Sequence, residues 1–100
     1  MPKEIIWSEL ADNDFEDILE YLAKNWNQKV ASKFMTITFH FIDQIAVHPK
    51  QFPMIYKKEK IRKCVITKQN TLFYKESKAN IEILRIFDTR QNPKKLTVKD

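Results

Sequence analysis

The side chains of this sequence best suited to chemistry are cations. Arg62 and Arg90 lead, because a guanidinium grips phosphate or carboxylate through two parallel hydrogen bonds. Lys68 and Arg85 extend the set of possible anion binders. Each has a plainer alternative. Arg85 lies in a strand-like run and can pair with Glu76 or Glu82, while Lys57, Lys58 and Lys60 read as a solvated loop. Tyr74 could serve as a general acid, but a tyrosine on a middle strand more often packs the sheet.

Other chemistries find no support. The chain has no glycine, so it has no glycine-rich phosphate loop. His40 and His48 stand eight residues apart with no thiol nearby, which is not metal-ligand spacing. No serine motif suggests a nucleophile elbow. Asp14, Glu16, Asp17 and Glu20 read as a solvated helix face. Cys64, the one cysteine, sits in the apolar run Cys64-Val65-Ile66 and reads as a small core hydrophobe. It permits no intrachain disulfide, which fits a reducing cytoplasm. Neither a metal nor another cofactor is expected.

The net charge is +5, and it is unevenly spread. Residues 1–50 hold five Lys and eight Asp or Glu, a net of −3, whereas residues 51–100 hold 13 Lys or Arg and five acids, a net of +8. A basic half attracts nucleic acid or an acidic protein, although a solvated lysine-rich surface explains it equally well. With 100 residues, 43% hydrophobic and 31% charged, the chain is expected to form one globular domain over residues 1–100. The early charges argue against a signal peptide, and no apolar run is long enough to span a membrane.

The elements that must position these cations follow from periodicity. Residues 3–7 read as a short strand. Ser8 offers an N-cap to a helix whose apolar stripe is Ala11, Phe15, Ile18 and Leu22, widened by Leu19 and Trp26 and stopped near Asn25. A second helix over residues 28–47 carries Val30, Phe34, Ile37, Phe41 and Ile45, and His48-Pro49 ends it. Residues 51–60 read as a loop. Three strand-like runs follow, at 61–67, 71–76 and 80–87, joined by connections short enough for hairpins. The tail, residues 88–100, contains Pro93 and a short helical turn in its middle. Without glycine, any left-handed turn position is expected to fall on Asn. The predicted fold is α+β, in the order β-α-α-β-β-β. An antiparallel sheet would carry the helical hairpin on one face, with the first strand at its edge and the basic half lining the other face.

This order, with these residues, resembles the RelE/ParE superfamily of toxins from type II toxin–antitoxin pairs. The resemblance is carried by Ile5-Ile6-Trp7-Ser8 with Ala11, Phe15-Glu16-Asp17-Ile18 and Tyr21-Leu22, by His48-Pro49, and by Ile61-Arg62-Lys63-Cys64-Val65-Ile66. Thr71-Leu72-Phe73-Tyr74 and the run from Ile81 through Arg90 to Pro93 complete it. It implies a cognate antitoxin and one of two activities. ParE-like members, associated with plasmid stabilisation, poison DNA gyrase. RelE-like members cut messenger RNA on the ribosome.

Cleavage through a 2′-hydroxyl needs a base, a stabiliser of phosphorane charge and a proton donor. The resemblance places Arg90 at the late arginine of the nuclease members and Arg62 near their early basic positions. A nuclease would draw on Arg62, Lys63, Lys68 and Arg90 for phosphate, with Tyr74 as the nearest acid. However, Thr71 stands where an arginine is expected, and Leu96 where a late tyrosine is expected. The expectation therefore leans to a ParE-like protein that binds gyrase and assembles with its antitoxin. A ribosome-dependent endoribonuclease and a non-toxic basic binding module are the alternatives.

Overall fold

A computed structural model describes residues 2–90. The elements are β1 (Glu4–Trp7), α1 (Glu9–Asn25), α2 (Gln28–Val47), β2 (Met54–Tyr56), β3 (Ile61–Val65), β4 (Asn70–Glu76) and β5 (Asn80–Asp88). They form a five-stranded sheet in the order β1-β5-β4-β3-β2 with the helical hairpin on one face, an α+β fold as predicted. Pro93, Leu96 and the expected helical turn in the tail lie outside the described residues.

Local chemistry sets the helix ends. Ser8 is the N-cap of α1: its Oγ accepts the Ala11 N–H at 3.0 Å and donates to the Leu84 carbonyl at 2.8 Å. Asn27 caps α2 by accepting the Val30 N–H at 2.9 Å. The single residue between the C-cap of α1 (Trp26) and the start of α2 leaves room only for an antiparallel hairpin. His48 closes α2 just ahead of Pro49.

The buried stripes of the helices meet the sheet in one core. Ala11, Ile18 and Leu22 of α1 and Ala31, Phe34, Ile42 and Ile45 of α2 pack with Cys64, Leu72, Tyr74, Ile81, Ile83 and Ile86. Burying each large aliphatic side chain contributes about 1.5–3 kcal/mol. Burial pushes the Cys64 thiol up to about 11, consistent with an inert core residue. Phe73 and Ile61 are also buried but lie outside this cluster, as strand alternation requires of residues turned from the helices.

Four features depart from the sequence reading. The sheet is mixed, because β1 runs parallel to β5, pairing Glu4 with Asn80 through Trp7 with Ile83. Short turns dictate direction for β3, β4 and β5, but no turn links β1 to β5. Within the expected loop, Met54–Tyr56 forms an edge strand against β3. The left-handed residue is Lys60, with φ of 60°, rather than an asparagine; it closes the turn by donating its N–H to the Lys57 carbonyl. Trp26 is 53% exposed, because it caps α1 instead of continuing its buried stripe.

Candidate functional site

A bulge in β5 organises the basic residues that follow it. Phe73 pairs with Arg85 and Tyr74 with Ile83, so Leu84 is an extra residue. The insertion keeps Ile81, Ile83, Ile86 and Asp88 buried along one strand. Past Ile83, β1 no longer covers the edge of β5, and α1 takes over. Ser8 donates its N–H to the Ile83 carbonyl at 2.9 Å, and Ile86 donates its N–H to Asp14 Oδ2 at 3.0 Å. Asp14 also accepts Arg85 Nε at 2.7 Å and Nη2 at 3.0 Å. Both side chains are largely buried, at 14% and 16% exposed. Arg85 thus grips Asp14 of α1 rather than Glu76 or Glu82, and Glu76 instead pairs with Lys3 at 2.8 Å.

The end of β5 builds a second, tighter cluster. The Asp88 side chain is fully buried beside Asn70, its partner on β4. Its Oδ1 accepts Arg90 Nε at 3.0 Å and the Arg90 backbone N–H at 2.8 Å. Its Oδ2 accepts Arg90 Nη2 at 2.8 Å and Asn70 Nδ2 at 3.0 Å. Asn70 Oδ1 in turn accepts the Thr67 hydroxyl at 2.6 Å. Burial alone would raise the Asp88 carboxyl, but the bonds from Arg90 and Asn70 outweigh it and hold the group below the usual carboxylate range. The Arg90 guanidinium lies 5.8 Å from the Tyr21 ring and 5.7 Å from the Trp26 ring, within cation–π range. Arg90 is therefore a structural fork whose charge a buried carboxylate already compensates. Next to it is a cavity of about 220 Å³ walled by Leu22, Val30, Phe34 and Ile37, with Lys33 and Arg90 at its border.

Arg62 and Tyr74 sit together elsewhere, paired across β3 and β4. Arg62 Nη1 donates to the Phe52 carbonyl at 2.7 Å and the Lys50 carbonyl at 3.4 Å. Tyr74 is fully buried and donates its hydroxyl to the Pro49 carbonyl at 2.5 Å, with Phe52 edge-on at 6.4 Å between ring centroids. Burial drives the Tyr74 hydroxyl well above its ordinary value, and nearby Arg62 only partly opposes this. The pair fastens the connection after α2 to the sheet. Lys63 lies opposite Phe73 and is partly exposed, while Lys68 is exposed in the β3–β4 turn.

The basic residues picked from sequence therefore do not converge. Arg90 and Lys68 stand at one end of the strands and Arg62 and Tyr74 towards the other, since Asn70 and Tyr74 are separated by about 14 Å of strand. Among the described residues, no group of three His, Cys, Asp or Glu could hold a metal ion. No helix among them is long and apolar enough to cross a membrane. Sequence reasoning missed Asp14, Asp88, Asn70, Tyr21 and Trp26 as the partners of the arginines. One signal was present: Asp14 is three residues after Ala11 and four before Ile18, which puts it on the buried stripe.

Similarity to known proteins agrees with this architecture. No curated protein matches the sequence. Among solved structures, the chain is similar to a chromosomal ParDE toxin–antitoxin system from P. aeruginosa, with TM-score 0.73 and 15% identity over 86% of this chain and 95% of that one. It is also similar to a YoeB/ParE toxin from Agrobacterium tumefaciens, with TM-score 0.64 and 13% identity over 85% of this chain and 97% of that one. A third similarity is to the DinJ–YafQ toxin–antitoxin complex of E. coli, with TM-score 0.60 and 13% identity over 90% and 96%. At these identities the structures speak for the fold. The model of the ParE toxin of the type II toxin–antitoxin system parDE matches residues 5–93, from β1 to just past the Arg90 fork, and by that match the chain belongs to the ParE toxin family.

Proposed function

We propose that this chain is the toxin of a type II toxin–antitoxin pair of the plasmid-stabilisation kind, acting in the cytoplasm by binding DNA gyrase rather than by cutting RNA. The observation that carries the reading is the state of Arg90 and Tyr74. A phosphorane-stabilising arginine must be free to meet developing negative charge, whereas Arg90 is already forked onto buried Asp88. A general acid must reach the leaving oxygen, whereas the Tyr74 hydroxyl is buried and committed to Pro49.

A cognate antitoxin fits the same surface. The cavity beside the Arg90 fork is lined by the apolar Leu22, Val30, Phe34 and Ile37 together with the cation Lys33 and the polar Thr67, Gln69 and Asn70. It suits an amphipathic segment that inserts aliphatic side chains and sets a carboxylate against Lys33, folding as it docks. Two of the similar structures are of a toxin–antitoxin system or complex.

Induced expression in a bacterial host tests the reading. Growth is expected to stop, and to resume when the antitoxin encoded beside the toxin is co-expressed. Tyr74→Phe, which loses one hydrogen bond worth about 1–2 kcal/mol, should arrest growth as the parent does. Unimpaired growth would point to a non-toxic binding module. A folded but harmless Tyr74→Phe protein would favour the ribosome-dependent nuclease.

A further inference from the structure

Five cations from four segments line a cleft at the end of the sheet away from Arg90. Lys3 precedes β1, Lys50 follows α2, Lys60 closes the β2–β3 turn, Arg62 is the second residue of β3 and Lys78 lies in the β4–β5 turn. The cleft measures about 340 Å³, and Glu76 is the one acidic residue among its described lining. Glu76 is bound to Lys3, which leaves the remaining cations without a carboxylate partner inside the cleft. Gathering cations from four segments around one cleft with a single, already paired acid gives it a positive potential that attracts anions.

Two details indicate a formed site. The Arg62 guanidinium is oriented by the Phe52 and Lys50 carbonyls through Nη1 alone, so among the described residues its Nη2 edge stays open to a further acceptor. Lys60 holds a left-handed backbone, φ 60°, at a cost of about 1–2 kcal/mol for a residue with a Cβ.

We propose that this cleft binds the phosphate backbone of duplex nucleic acid without reading its sequence. Lysines dominate it, and lysine is depleted in the centres of protein–protein interfaces but supplies backbone contacts to nucleic acid. No aromatic side chain lines it among the described residues, so it lacks the stacking platform that single strands use. The inference is independent of what the toxin does to its target.

The test is fluorescence anisotropy of a labelled, mixed-sequence DNA duplex titrated with the whole purified chain over a range of salt concentrations. Lys60→Gln/Lys78→Gln, two exposed positions, should melt as the parent does. It should bind at least about tenfold more weakly, with a log–log salt slope shallower by about 2. Lys24→Gln/Lys29→Gln, the same charge change on the helices, should bind like the parent. The proposal is overturned if the parent fails to bind at roughly 50 mM salt or if the cleft variant binds unchanged. It is also overturned if single-stranded DNA binds more tightly than duplex. Displacement of the duplex by poly-glutamate as readily as by unlabelled duplex would reassign the cleft to an acidic protein.

Discussion

Asp14→Ala is expected to destabilise the protein by about 3–5 kcal/mol, the range for removing one partner of a buried ion pair. In a domain of this size that lowers the melting temperature by roughly 15–25 °C. The mutation removes three interactions at once. It leaves the Arg85 guanidinium, 14% exposed, without the carboxylate that holds its Nε and Nη2. It also strips the Ile86 N–H of its acceptor just where β5 loses β1 as a neighbour. Replacing both charged residues, as Asp14→Leu/Arg85→Met, should recover part of the loss, because no charge is then stranded, but not all of it, because the Ile86 N–H stays unsatisfied. Thermal melts of the three proteins check this. A shift of only a few degrees for Asp14→Ala would show that the pair does not fasten α1 to the sheet.

Arg90→Ala is expected to cost about 2–3 kcal/mol at neutral pH, because the Asp88 side chain is fully buried and would keep only Asn70 and a backbone N–H. Its pH dependence identifies the cause. Arg90 and Asn70 hold the folded Asp88 carboxyl below its unfolded value of about 3.9. The ionised carboxylate therefore adds stability that is fully present above that unfolded value and is lost as pH falls through the lower folded value. In Arg90→Ala, burial is no longer outweighed and the folded carboxyl rises. Protonation then relieves the variant while it weakens the parent, so the stability gap should narrow from pH 7 to pH 3. Urea denaturation at both pH values measures it. A gap that stays constant would mean that Arg90 acts through packing on Tyr21 and Trp26 alone. Arg90→Lys should fall short of the parent, since an ammonium cannot reproduce the fork. Loss of toxicity in an Arg90 variant therefore has to be read together with its stability.

Much of this fold is legible in the sequence because its signals are local. The N-cap at Ser8, the helical spacing of Ala11, Phe15, Ile18 and Leu22, and the stop at His48-Pro49 each act within a few residues. The direction of β1 is not local, since its partner β5 lies at the other end of the chain. The β5 bulge is equally hidden: Leu84 looks like any other residue of an apolar strand until β4 is laid beside it. The site was harder for a similar reason. Arginines advertise themselves by type, but whether a guanidinium is free depends on carboxylates brought in from elsewhere. Arg85 meets Asp14 from the opposite end of the chain, and by residue type alone Asp14 reads as one acid among several on a solvated helix face. Arg90 meets Asp88 only two residues away, yet nothing local says that the Asp88 side chain is buried.

We propose a toxin in which Arg85 and Arg90 hold the fold together and the target is DNA gyrase rather than RNA. The most direct test adds the purified chain, in molar excess, to DNA gyrase supercoiling relaxed plasmid, and in parallel to ribosomes translating a defined messenger RNA. The account predicts that supercoiling stops while the messenger stays intact. Unimpaired supercoiling together with cleavage of the messenger would contradict it.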